Sequence, residues 1–143
     1  MDVKWGLGKL PETVGHPGEY FAKRGIRIDC RGPVTIDKHS YWGFGCVVLT
    51  LSHDTHGGPG PIGPTVPYGV QVDAHAWIGS MALLAGCHIG EGAIVAAGTV
   101  VRGQTVAPGT MVAGNPARVI ARWDGERWRY LAPNECGYDR GLS

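Results

Sequence analysis

Two histidines and an aspartate sit close together in Ser52-His53-Asp54-Thr55-His56-Gly57. A neutral imidazole, with an unperturbed pKa near ~6.5, can take a proton from a hydroxyl at neutral pH. His53 is therefore a candidate general base. His56 is a candidate to assist or orient it, and Asp54 to orient a ring or hold a substrate. An HxxH on an ordinary solvated loop would do none of this, so the element that carries it decides its meaning. The residues that follow include Gly57, Gly58, Gly60 and Gly63 with Pro59, Pro61, Pro64 and Pro67. Such a composition excludes a helix or a central strand, and residues 50–68 read as a loop extruded from the fold. A long insertion inside a compact domain is where function concentrates.

What flanks the loop has a period of six. The strongest stretch is Ile89-Gly-Glu-Gly-Ala-Ile94, Val95-Ala-Ala-Gly-Thr-Val100 and Val101-Arg-Gly-Gln-Thr-Val106. An aliphatic residue opens each unit (Ile89, Val95, Val101), and a small one stands four places later (Ala93, Thr99, Thr105). Neither a helical period nor strand alternation gives that register; stacked coils of a parallel β-helix do. Ile36, Trp42 and Val48 repeat the phase upstream, with Ser40, Cys46 and Ser52 at the small position. Cys30 with Val34 extends it further, and Val72 and Ile78 resume it after the loop. From Ile78 to Ile89 the spacing is 11, so one unit there is a residue short. A full turn of three such units would be about 18 residues. One coil buries too few aliphatic side chains to stand alone, so stacking must supply the stability.

The remaining segments lack the phase. Residues 1–23 contain Pro11 and Pro17 and read as an irregular arm over one end of the prism; 24–122 form the β-helix domain. Residues 123–143 read as a C-terminal hairpin and tail, because Asp124-Gly125 is a hairpin turn signal. At Asn115-Pro116-Ala117, an N-cap followed by Pro predicts one short helical turn. The chain has 143 residues, with Lys+Arg 13 against Asp+Glu 12. That balance gives no reason to expect nucleic acid or an anionic membrane as partner. No apolar run reaches membrane-spanning length and no secretory leader is evident, so the expectation is a cytoplasmic protein. Cys30, Cys46, Cys87 and Cys136 show no CxxC and no zinc spacing. Three of them fall on the register as small buried hydrophobes, and no metal is expected.

The motifs together resemble the hexapeptide-repeat acyltransferases, including the maltose, galactoside, xenobiotic and capsule acetyltransferases. The matching stretches are Leu49-Thr-Leu-Ser-His53-Asp54, Ala76-Trp77-Ile78-Gly79-Ser80, Ile89 to Val101, and Val112-Ala-Gly-Asn-Pro-Ala-Arg118. The resemblance implies an all-β, left-handed parallel β-helix, although general crossover rules favour the right hand. It also implies a homotrimer that moves acetyl from acetyl-CoA to a hydroxyl of a small acceptor, a sugar. His53 matches the family's base, on a loop that reaches towards an adjacent subunit. Trp77 matches an aromatic of the acceptor and pantetheine pocket. Gly79, Ser80, Ala97 and Gly98 match positions whose backbone flanks the pantetheine arm. Arg118 matches the family's Asn-Pro-Ala-Lys/Arg cation and Arg102 sits near its Thr-Lys dipeptide; both are candidates to face the nucleotide phosphates, a role for which a guanidinium fork is suited.

Two departures stand out. Relatives carry Thr-Lys-Asp after Val-Val, where this chain has Arg102-Gly103-Gln104. The short unit Ala82-Leu-Leu-Ala-Gly-Cys-His-Ile-Gly90 resembles a coil of the γ-class carbonic anhydrases, which bind zinc through histidines. Ser80 and Ala85 occupy the matching positions, and neither can replace an imidazole ligand. Three readings stay open: an O-acetyltransferase, an N-acyltransferase of the same fold, and a non-catalytic scaffold related to the γ-class enzymes.

Overall fold

In the computed structural model, which describes residues 9–56, 58, 60–132, 134 and 135, short strands wind around a three-sided prism. A helix, α1 (Gly18–Lys23), precedes the first coil, formed by β1 (Arg27–Ile28), β2 (Val34–Ile36) and β3 (Tyr41–Trp42). β4 (Val47–Leu49) begins the second coil and is followed by a hairpin, β5 (Leu51–His53) and β6 (Thr65–Pro67). The coil then resumes with β7 (Val70–Val72) and β8 (Trp77–Ile78). β9 (Leu83–Ala85), β10 (His88–Ile89) and β11 (Ile94–Val95) make the third coil, and β12 (Val100–Arg102), β13 (Thr105–Val106) and β14 (Thr110–Ala113) the fourth. β15 (Arg118–Trp123) and β16 (Trp128–Tyr130) then fold back antiparallel onto β14.

The faces follow from the pairing. The first face is β1-β4-β9-β12, the second is β2-β7-β10-β13, and the third is β3-β8-β11-β14 with β15 and β16 added. Within the coils every pairing is parallel, and one column of side chains fills each face from inside. The columns are Ile28, Val48, Leu84, Val101; Ile36, Val72, Ile89, Val106; and Trp42, Ile78, Val95, Val112. None is more than 5% exposed. Smaller residues two places earlier, such as Cys46, Ala82 and Thr99, point inward as well and are buried.

Several expectations are corrected by this register. Val72 to Ile89 and Ile89 to Val106 are each 17 residues, so the coils after the hairpin are 17 long rather than 18, while Ile28 to Val48 in the first coil is 20. The short unit expected between Ile78 and Ile89 is Leu84 to Ile89, and a second one, Val101 to Val106, leaves Thr105 exposed. Ile28, not Cys30, holds the upstream position; Cys30 is half-buried, while Cys46 and Cys87 are buried. The arm contains α1, whose Phe21 is fully buried with its ring edge-on to Trp42 at 5.5 Å, closing that end of the prism. Residues 50–68 carry a paired hairpin, with Pro67 on an edge strand where its missing N–H costs nothing. Asn115-Pro116, a cis peptide, lies in the turn between β14 and β15 rather than in a helical turn. Among the described residues no helix is long and apolar enough to cross a membrane.

Two interior polar groups make testable statements. The Thr99 hydroxyl is fully buried without a hydrogen-bond partner among the described residues. Replacing it by a methyl of the same shape removes a desolvation cost. Thr99→Val should therefore stabilise the protein by about 1 kcal/mol, read as a raised midpoint in chemical denaturation. His16 donates through Nε2 to the Ser40 carbonyl at 3.0 Å and stacks on Tyr20 at 4.0 Å. Burial holds its imidazole below the usual 6.5. The unfolded chain then binds this proton first, so the contribution is complete above 6.5 and declines as pH falls below it. Melting temperature should drop between pH 7 and 5, and His16→Gln should flatten part of that drop.

Candidate functional site

The candidate residues fall on two edges of the prism. Where the chain leaves the first face for the second, the hairpin projects. Its root is clamped: Thr50 Oγ1 donates to the Asp29 carbonyl at 2.7 Å and accepts from Gly32 N–H at 2.9 Å. Tyr68 N–H donates to the Thr50 carbonyl at 2.8 Å. The Tyr68 ring lies against Gly86, a residue at φ +53 where a Cβ would collide with that ring. Arg31 grips Asp29 with two bonds of 2.9 Å and holds its carboxyl below the usual carboxylate range.

His53 ends β5 and is exposed, opposite Thr65 in β6. Its Nδ1 lies 3.1 Å from the Gly63 carbonyl. A carbonyl only accepts, so Nδ1 carries the hydrogen and Nε2 keeps the lone pair that can take a proton. Asp54 does not fill the orienting role for His53. Its Oδ1 accepts from His56 N–H at 2.8 Å, and the His56 ring lies 3.8 Å away, 94% exposed. Arg102, at the end of β12, belongs to this same edge, since Gly103 N–H donates to the Ala85 carbonyl.

The second edge lies between the third and first faces. Here Gly79-Ser80 of one coil sits beneath Ala97-Gly98 of the next. Gly79 N–H donates to the Val95 carbonyl at 2.7 Å and Gly98 N–H to the Ser80 carbonyl at 2.9 Å. A Cβ on Gly79 would stand 2.6 Å from the Ala97 nitrogen, so only glycine permits this approach. Ser80 Oγ accepts from Phe44 N–H at 3.0 Å. The backbone N–H groups of Ser80 and Ala97 make no hydrogen bond among the described residues. Trp77, 53% exposed, stands on β8 just before this edge, and Arg118 reaches it one coil later through its pairing with Ala113. Trp77, Gly79, Ser80, Ala97, Gly98 and Arg118 are thus gathered on one edge, while His53, Asp54, His56 and Arg102 are on another.

Sequence reasoning missed Tyr41, which pairs with Trp77 and is 59% exposed. The signal was available, because Tyr41 precedes Trp42 as Trp77 precedes Ile78. The free N–H groups had no signal of their own, since they depend on coil geometry. Burial pushes the Cys87 thiol up to about 12, so it supplies no thiolate. Among the described residues no group of three or more His, Cys, Asp or Glu could hold a metal ion.

Because Gly86 seats Tyr68 at the hairpin's foot, Gly86→Ala should loosen the hairpin without unwinding the coils. The expected readout is faster proteolytic nicking within residues 54–64 at nearly unchanged circular dichroism.

No protein-family model matches the sequence, and no curated protein matches it. Solved structures do. The Bacillus cereus N-acyltransferase AntD, in mutant form with dTDP and coenzyme A, is 18% identical with a TM-score of 0.58 over 67% of this chain and 56% of its own. A hexapeptide-repeat-containing acetyltransferase of Vibrio cholerae is 26% identical, with a TM-score of 0.51 over 68% of this chain and 62% of its own. Galactoside acetyltransferase in complex with coenzyme A is 21% identical, with a TM-score of 0.57 over 77% of this chain and 51% of its own. This chain therefore spans between half and two thirds of the length of these proteins. It has the left-handed parallel β-helix fold of the hexapeptide-repeat acetyltransferases.

Proposed function

We propose that the protein is an acetyl-CoA-dependent O-acetyltransferase acting on a sugar hydroxyl, with His53 as general base. The observation that carries this reading is the pair of unpaired N–H groups on Ser80 and Ala97, stacked one coil apart on an edge that Trp77 flanks. A pantetheine arm presents amide carbonyls along an extended chain, and two free backbone donors on a rigid edge suit them. Gly98, exposed beside them, keeps the path clear of side chains. Arg118 and Arg102 supply charge-assisted donors for the nucleotide phosphates. The coenzyme A complexes of AntD and galactoside acetyltransferase support the same donor.

In this reading, His53 Nε2 takes the proton as the acceptor oxygen attacks the thioester carbonyl. The tetrahedral oxyanion collapses, the carbon–sulfur bond breaks, and the leaving CoA thiolate recovers that proton from the imidazolium. The thioester is already activated, so the protein needs no covalent nucleophile. Trp77 closes the pocket on the acceptor side, with Asp54 and His56 at its rim. Since base and donor edge lie on different edges of one prism, two copies must meet to complete the site. A homotrimer does this three times over.

A second reading follows from the likeness to AntD, in which an amine replaces the hydroxyl as acceptor. A screen of sugars, sugar nucleotides, amino sugars and other amines, read by release of free CoA, separates the two. His53→Ala should lower turnover by about two to four orders of magnitude while oligomer size and melting stay unchanged. Unaltered turnover in that variant would remove His53 from the chemistry.

A further inference from the structure

The second face carries a polar row that the acyl-transfer site does not use. Thr35, Gln71, His88 and Thr105 face outward on β2, β7, β10 and β13, in register from coil to coil. A groove of about 390 Å³ runs over them, and among the described residues neither lysine nor arginine lines it. At its centre His88 Nε2 lies 2.7 Å from Asp73 Oδ2, and Gln71 Nε2 donates to Asp73 Oδ1 at 2.8 Å. Both carboxylate oxygens are thus spent on holding two side chains in place. A carboxylate only accepts, so His88 Nε2 carries the hydrogen and Nδ1 presents a lone pair. That Nδ1 makes no hydrogen bond among the described residues.

The lining selects the ligand class. Without a cation, the groove offers nothing to a phosphate or carboxylate; without an aromatic plate beyond the imidazole, nothing to a planar base. What remains is an uncharged ladder of hydroxyl, amide and imidazole groups, repeating about every 4.8 Å over four coils. Such a ladder matches the hydroxyls of a neutral saccharide longer than a single ring. The groove also begins at the hairpin's foot, where Gly69 follows β6 and Val70 N–H donates to the Pro33 carbonyl at 3.0 Å. We infer that the acceptor is a neutral oligosaccharide whose units beyond the acylated one lie in this groove, held by Gln71 and by His88 as positioned by Asp73. The inference rests on the acyl-transfer reading for the word acceptor; binding to the groove does not.

The test uses the full chain without acetyl-CoA, with maltotetraose, cellotetraose and chitotetraose as probes, by calorimetry and by the imidazole signals of His88 in NMR. At least one tetrasaccharide should bind and shift those signals. His88→Ala should weaken it about tenfold, with Asp73→Asn weakening it in the same sense. His88→Gln, which keeps shape and a hydrogen-bonding tip, should recover part of the loss and so separates binding from folding. In transfer assays His88→Ala should raise KM for the tetrasaccharide at constant kcat and leave a monosaccharide unaffected. Absence of binding by all three probes, or equal binding by wild type and His88→Ala, overturns the inference. CoA release from monosaccharides with no tetrasaccharide bound would sink the groove and spare acyl transfer. Tetrasaccharide binding without CoA release from any acceptor would do the reverse.

Discussion

The rest of the molecule depends on the fixed register between coils. Each face is a parallel ladder, and past the hairpin the residue above is 17 positions on, as in Val72, Ile89 and Val106. Apolar columns and ladder bonds reinforce each other: a slip of one residue would turn Leu84, Ile89 and Val95 outward together. The register therefore tolerates little variation in the strands. It tolerates much in the corners, where one unit in each of the later coils is five residues instead of six without disturbing the columns.

That constraint also decides where chemistry can sit. On a face, backbone N–H groups are spent on the neighbouring coil, so only side chains are available, as in the row through Gln71 and His88. At an edge the backbone turns, and some N–H groups are left over, as at Ser80 and Ala97. An edge is likewise where a segment can be inserted. The hairpin leaves after Leu49 and returns at Val70, yet Leu49 still pairs with Ala85 and Val70 with Val34. The clamp of Thr50, Tyr68 and Gly86 is the price of that insertion, making a rigid foot where a Gly- and Pro-rich excursion would otherwise swing.

What could be read without coordinates follows from the same physics. The columns through Ile36, Trp42, Ile78, Ile89, Val95 and Val101 were legible, because the six-residue phase is unbroken within each run. Leu84 was hidden by its neighbours: Ala82-Leu83-Leu84-Ala85 is apolar throughout, so pattern alone cannot say which residue points in. The hairpin strands were masked by Pro64 and Pro67, which argue against a central strand but not against an edge. His53 and its extruded segment were visible as residues. Its partner was not, because a backbone carbonyl at Gly63 leaves no trace in composition. The pair Asp73 and His88 was invisible for a different reason. Their separation of 15 brings them together only because that coil is 17 long, and the length emerges from its one short unit, Leu84 to Ile89.

The two histidines differ in a way that bears on their roles. The Nδ1 hydrogen of His53 goes to a neutral carbonyl, which fixes the tautomer while adding no charge beside the ring. His88 is anchored by a carboxylate that also grips Gln71, so its orientation is fixed from two directions. The carboxylate that holds the ring is itself fixed through its other oxygen by Gln71, so the anchor does not swing freely with the ring. The fold thus holds the hairpin histidine at an edge through a backbone carbonyl and the face histidine through a carboxylate, so one is anchored to main chain and the other to a side chain.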